Sequence, residues 1–163
     1  MLPLLKSTRN IFLLVMPCLM LSSCDTIDLY EKTVPVEQHA WSSSFKPEFR
    51  FTIKDTTVPY RVFITLRHSD RYNYNNIWVN LITQPPGDSA QRIQYELPLA
   101  SRQGWLGSGM GDVYDHRIAI TPPEQDLYFR RSGEYVFKLE QVMREDPLQH
   151  VLNVGLRLEK KPQ

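Results

Sequence analysis

Four histidines, one glycine-rich run and a cysteine are the residues of this chain whose chemistry could go beyond packing. The histidines are His39, His68, His116 and His150. A metal site built locally places ligands at i, i+2 or i, i+4, and none of the four has that spacing. No metal is expected. The run Gly104-Trp105-Leu106-Gly107-Ser108-Gly109-Met110-Gly111-Asp112 invites a test as a phosphate cradle. Such a loop follows a strand, opens a helix and usually carries a lysine. Here Val113 to Ile120 reads as strand and the run holds no lysine, so a structural loop is expected, with Trp105 as a contact residue. Gly-Ser-Gly lacks the Gly-x-Ser-x-Gly spacing of a nucleophile elbow. No serine, histidine and aspartate are arranged to suggest a triad, and the scattered carboxylates offer no nameable glycosidase pair. The expectation is a protein with no catalytic residue and no cofactor beyond a covalent group on its cysteine.

That cysteine is Cys24. Lys6 and Arg9 give a positive start, Ile11 to Leu21 carries no charge, and Leu21-Ser22-Ser23-Cys24 closes the segment. A charged start, a short apolar run and small residues before a cut site make a secretory signal. The run is too short to span a bilayer, which takes roughly 20 residues. Pro17 weakens any helix that would have to persist. Leu, two small residues and then Cys is similar to the bacterial lipoprotein signal, cut just before the cysteine. Cys18 leaves with the signal, so the mature chain keeps Cys24 alone and forms no internal disulfide. A lone exposed thiol is a liability in an oxidising compartment, and acylation removes it. The resemblance implies a diacylglyceryl thioether and an amide-linked acyl chain on Cys24. Each buried methylene contributes about 0.8 kcal/mol; one chain anchors marginally, and two or three hold the protein on a membrane.

The elements that must position anything else are strands. Phe49, Phe51 and Ile53 alternate with polar residues. So do Tyr60, Val62, Ile64 and Leu66; Ile93, Tyr95 and Leu97; Tyr135, Phe137 and Leu139; and Leu152, Val154, Leu156 and Leu158. Ile77 to Ile82 is a denser run, typical of a strand buried on both faces. Period-2 alternation with β-branched and aromatic content predicts half-buried strands. Turn chemistry separates them at Lys54 to Pro59, Ser69 to Asn76, Pro85-Pro86-Gly87-Asp88 and Arg131-Ser132-Gly133. Gln141 to His150 has room for a short helical turn that Pro147 limits. The predicted fold is all-β, an antiparallel β-sandwich of immunoglobulin-like or jelly-roll-like type. Its expected boundaries are a signal peptide over 1–23, a lipidated N-terminus and tether over 24–44, and the sandwich over 45–163. Within the tether, Trp41 is expected to dock on the domain edge. Formal net charge falls from +1 to −1 once Lys6 and Arg9 are removed. No basic stripe is present, so no nucleic-acid partner is expected.

The most distinctive segment is Arg67 to Trp78, rich in Arg, Tyr and Asn. Those types are favoured at contacts, which reads as a recognition loop. They also suit a hairpin connection whose tyrosines cap the core and whose asparagines bond turn backbone. The candidate partner-contact residues are Arg67, His68, Tyr72, Tyr74 and Trp105. Tyr72 and Tyr74 are expected on an exposed tip, with Ile77 and Trp78 in the core.

One ordered set of residues carries a family resemblance over nearly the whole chain. It runs Cys24-Asp25, Trp41, Asp55-Thr56, Tyr60, Leu66-Arg67-His68, Tyr72, Tyr74 and Asn76-Ile77-Trp78. It continues through Gly104-Trp105-Leu106-Gly107, Gly133-Glu134-Tyr135, Met143-Arg144 and Val154-Gly155-Leu156. The set resembles the gliding motility lipoproteins of the GldH family in Bacteroidetes. The resemblance implies a lipid-anchored cell-envelope protein, expected at the outer membrane with its facing side left open. Its implied partners are the membrane, through the anchor, and other envelope proteins of motility and of adhesin secretion. It supplies no catalytic residues. The rival reading is a glycan-binding sandwich lipoprotein, resting on the aromatics Trp41, Tyr72, Tyr74, Trp105 and Tyr114.

Overall fold

The computed structural model describes residues 29–161; Cys24 and the signal segment lie outside the described residues. The alternating segments assemble into two antiparallel sheets. The first has five strands in the order β1 (Leu29–Pro35), β13 (Val151–Lys160), β4 (Tyr60–Ser69), β10 (Val113–Ala119), β9 (Ser108–Met110). The second has four, in the order β3 (Glu48–Ile53), β11 (Gly133–Gln141), β5 (Asn76–Gln84), β6 (Gln91–Pro98). Two short ribbons complete the fold, β2 (Ala40–Trp41) on β12 (Leu148–Gln149) and β7 (Ala100–Ser101) on β8 (Gly104–Trp105). The all-β antiparallel sandwich predicted from alternation is the observed architecture.

β4 explains the layering. Its residues Tyr60, Val62, Ile64, Leu66 and His68 are buried, while their neighbours are partly or fully exposed. Successive side chains of a strand point to opposite faces, so one register places all five inside. Leu156 pairs with Ile64 and Val154 with Leu66 across the β13 ladder, and both partners are buried. Ile77, Val79, Leu81 and Leu139 supply the buried face of the second sheet. Each such side chain contributes about 1.5–3 kcal/mol on burial. The Tyr60 end of the core is aromatic. Phe51 lies 5.3 Å from Tyr30, 6.0 Å from Phe129 and 5.0 Å from Phe137, centroid to centroid. The His68 end is built differently and is described below.

Four expectations need correction. The segment 24–44 is not only a tether. Residues Leu29–Pro35 form β1, paired with β13 in unbroken register from Leu29↔Glu159 to Pro35↔Asn153. A Cβ at Gly155 would lie 2.7 Å from the Lys32 carbonyl oxygen, so glycine is what lets β1 approach β13 this closely. Trp41 does more than dock at an edge: it is among the largest fully buried side chains, and its indole N–H donates to the Phe45 carbonyl at 2.9 Å. Gln141 to His150 holds no helical turn; it loops through β12. A short 3-10 turn lies instead at Glu37–His39. Trp78 is 37% exposed rather than in the core. The pleat sends Ile77 inward and Trp78 to the outer face of the second sheet, opposite Glu96. Ile77 is fully buried, as expected.

Candidate partner-contact site

The C-terminal end of β4 carries Leu66, Arg67 and His68, and alternation divides them. Arg67 points outward and binds Asp115 on β10 through two bonds, Nε to Oδ1 at 2.6 Å and Nη2 to Oδ2 at 3.0 Å. His68 points inward and has no exposed surface. Its Nδ1 lies 2.7 Å from the Ser69 carbonyl oxygen and its Nε2 lies 2.9 Å from Nε2 of His116 on β10. A carbonyl only accepts, so Nδ1 carries the proton of the neutral ring. His68 Nε2 is then the acceptor, and His116 Nε2–H must donate. The tautomers follow from this network. Burial pushes the His68 imidazole below its ordinary pKa. Burial, and then the neighbouring His68, push His116 down to about 4. At neutral pH both rings are uncharged, and one proton sits between them.

Aromatic rings enclose the pair. His68 is 4.4 Å from Trp105, 5.1 Å from Tyr72 and 5.8 Å from Tyr114, the last stacked at 22°. Tyr72 in turn meets Tyr74 edge-on at 5.7 Å. Its hydroxyl donates to the Asn76 carbonyl at 3.1 Å, and burial raises its pKa. The Tyr74 hydroxyl donates to Glu145 at 2.9 Å, which raises its pKa too. The structure thus brings His68, Tyr72, Tyr74 and Trp105 together and leaves Arg67 on the opposite face of β4. Tyr72 is 4% exposed, which corrects the expectation of an exposed tip. His68 and Tyr72 cap the core. Arg67 is exposed, and Tyr74 and Trp105 are half-buried.

Sequence reasoning missed His116 as a member, and it missed the flap. This flap is the glycine-rich run, whose β9 pairs edge to edge with β10. A Cβ at Gly107 would lie 2.5 Å from the Asp115 carbonyl and 2.9 Å from the His116 ring. At Gly109 it would lie 2.7 Å from the Tyr114 ring. The i, i+2 spacing of these glycines against the strand Val113–Ala119 was the available signal. Two large apolar side chains of the flap face outward, Leu106 at 57% and Met110 at 87% exposure. Among the described residues no group of three His, Cys, Asp or Glu side chains is placed to hold a metal. None of their helices is long and apolar enough to cross a membrane.

The model of the GldH lipoprotein family matches residues 28–158. A gliding motility lipoprotein GldH homolog of Christiangramia forsetii is 27% identical, over 96% of this chain and 98% of the relative. The gliding motility lipoprotein GldH of Flavobacterium johnsoniae is 25% identical, over 94% and 98%. Among solved structures, a chain of infectious bursal disease virus Gx strain aligns at TM-score 0.20 and 7% identity, over 82% of this chain and 37% of that one. That score is too low to support an argument. The family match runs from β1 into β13 and takes in the histidine pair, its aromatic enclosure and the flap. By this match the chain belongs to the GldH lipoprotein family.

Proposed function

We propose that this chain is a non-enzymatic lipoprotein of the cell envelope that supports gliding motility. It is held on the outer membrane by lipid on Cys24. It acts by contacting envelope proteins of the machinery that secretes and moves surface adhesins. The observation that carries this reading is the family match over residues 28–158. The contact surface follows from burial. His68 and Tyr72 are closed off, so the flap and its surroundings present the side chains a partner can reach. Leu106 and Met110 are the apolar contacts; Arg67 and the exposed parts of Tyr74 and Trp105 are polar or mixed neighbours. Central apolar contacts with a polar surround are what protein interfaces use. The glycan reading is disfavoured by the same geometry. Trp41 and Tyr72 are buried, and the rings of Trp105 and Tyr114 turn toward His68 and each other at 5.6 Å.

The test is a Leu106→Asp, Met110→Asp double variant of the full lipoprotein, in a gliding host lacking its own copy. Surface substitutions of this kind change stability by about 0.5 kcal/mol or less. The variant should therefore reach wild-type levels in the membrane fraction and fail to restore colony spreading. Full restoration would remove the flap from the contact surface.

A further inference from the structure

β6 is an edge strand whose free side has no partner strand among the described residues. The direction of its backbone groups follows from its neighbours. Val142 N–H donates to the Trp78 carbonyl at 3.0 Å, so the even-numbered residues of β5 direct their backbone toward β11. The odd-numbered ones therefore face β6, and the bond from Leu99 N–H to the Asn75 carbonyl at 2.8 Å continues that pattern. Through the register Ile77↔Leu97, Val79↔Tyr95 and Leu81↔Ile93, the odd residues of β6 bond to β5. The N–H and C=O groups of Arg92, Gln94 and Glu96 are left pointing at the open edge. An unpaired edge of this length is a template for another strand.

We infer that two copies of this chain pair through β6, antiparallel, in a register centred on Gln94. That register sets Gln94 against Gln94, Arg92 against Glu96 and Ile93 against Tyr95, the last two twice over. Arg92, Gln94 and Glu96 all have free backbone groups, so about six hydrogen bonds form. On the outer face each Arg92, 3.4 Å from Glu140 within its own copy, meets the second copy's Glu96, one of whose oxygens already accepts from Asn76 at 2.6 Å. On the inner face Ile93, 48% exposed in the single copy, is covered by the second copy's Tyr95. Ile93 and Tyr95 border a cleft of about 590 Å³ between the four-stranded sheet and the loop 120–131, also lined by Tyr128 and Phe129, so the added contact is apolar. The other edge of the same sheet lacks this complementarity. On β3 the equivalent register sets Arg50 against Arg50, and the Glu48 carbonyl already accepts from Lys32 Nζ at 3.2 Å.

The second copy also fits the anchor. The two-fold axis of an antiparallel edge pair is perpendicular to the sheet. Both five-stranded sheets, and both β1 strands that follow Cys24, then lie on the same side of the dimer. A strand of this length spans about 27 Å and buries less than the about 1,000 Å² of a stable complex. Confinement of both copies to one membrane raises their effective concentration and offsets that shortfall.

Cross-linking in membranes of the full lipidated chain tests the pairing. Gln94→Cys places two thiols on residues about 5.5 Å apart at Cα, within disulfide reach. Under mild oxidation it should form a disulfide dimer, and Thr52→Cys on β3 should not. Adding Glu96→Arg to Gln94→Cys sets arginine against Arg92 and should reduce the dimer to the Thr52→Cys background. Adding Arg92→Glu as well should restore it. Equal cross-linking at both positions means random collision and overturns the inference. A heterologous adduct of the Gln94→Cys variant in place of its dimer, or indifference to Glu96→Arg, overturns it too.

Discussion

His68 and His116 share a single proton inside a ring of aromatic side chains, and this couples the fold to pH. In the unfolded chain each imidazole takes up a second proton near pH 6.5. In the folded chain His116 resists protonation until about 4, chiefly because burial penalises its charge. Between those values the unfolded state binds more protons, so stability falls as pH is lowered through that window. His68, shifted in the same direction by burial, adds to the decline. Glu48, Glu140, Asp55 and Asp146 are held below their ordinary values by hydrogen bonds and ion pairs. Their contribution is present above about pH 4.5 and fades only below it. The two sets are therefore separated on the pH axis. A lowering from 6.5 to about 4 corresponds to about 3 kcal/mol at the acid end of the histidine window. Urea unfolding of a soluble form should show this loss between pH 7 and 4.5. His116→Gln should flatten the curve, because its amide donates to His68 and takes no proton. An equally steep curve in the variant would take the decline away from His116 and leave it with the buried His68.

At the scale of elements, β1 and β2 decide where the domain begins. Val36 and Trp41 are buried, Tyr30 packs on Phe51, and Val36 N–H donates to the Leu152 carbonyl at 2.8 Å. A soluble chain starting at residue 45 loses all of these. Truncating a buried tryptophan alone costs about 3–5 kcal/mol, against about 5–15 kcal/mol for a whole domain. Such a chain should melt without cooperativity, while one starting at residue 25 should give a single sharp transition by circular dichroism. Matching transitions would show that the edge strand is dispensable. The sequence hid β1 because Lys32 stands between Tyr30 and Val34, breaking the apolar alternation. Its ammonium reaches the Glu48 carbonyl at 3.2 Å on the exposed surface, where it ties β1 to β3 of the other sheet. The central strands were legible because their alternation is uninterrupted, as in β4. The histidine end was half legible. Tyr, His and Trp stand out by type, but the same types suit a contact loop or a core cap. Only the fold brings His68 to His116, 48 residues away, and turns Tyr72 inward. Trp78 misled because a dense apolar run does not reveal which face of the sheet is covered.

On the scale of the whole molecule, we propose that the lipid on Cys24 and the fold are separable parts. Residues 25–28 are all that lies between Cys24 and β1. Five residue steps reach at most about 18 Å, so an anchored domain stays close to the bilayer. Among the described residues the buried core begins at Val36, twelve positions after Cys24. Cys24→Ser should therefore leave folding intact and remove attachment. Three readouts divide these effects. Metabolic labelling with an alkyne fatty acid should mark the wild-type chain and not the variant. Fractionation should move the variant out of the membrane. Thermal unfolding of the released variant should match a soluble chain starting at residue 25, within about 0.5 kcal/mol, because every described core residue is unchanged. Label retained on the variant would place the lipid elsewhere. Colony spreading restored by the unlabelled, soluble variant would mean that the envelope role does not need the anchor, and the β-domain alone would carry it.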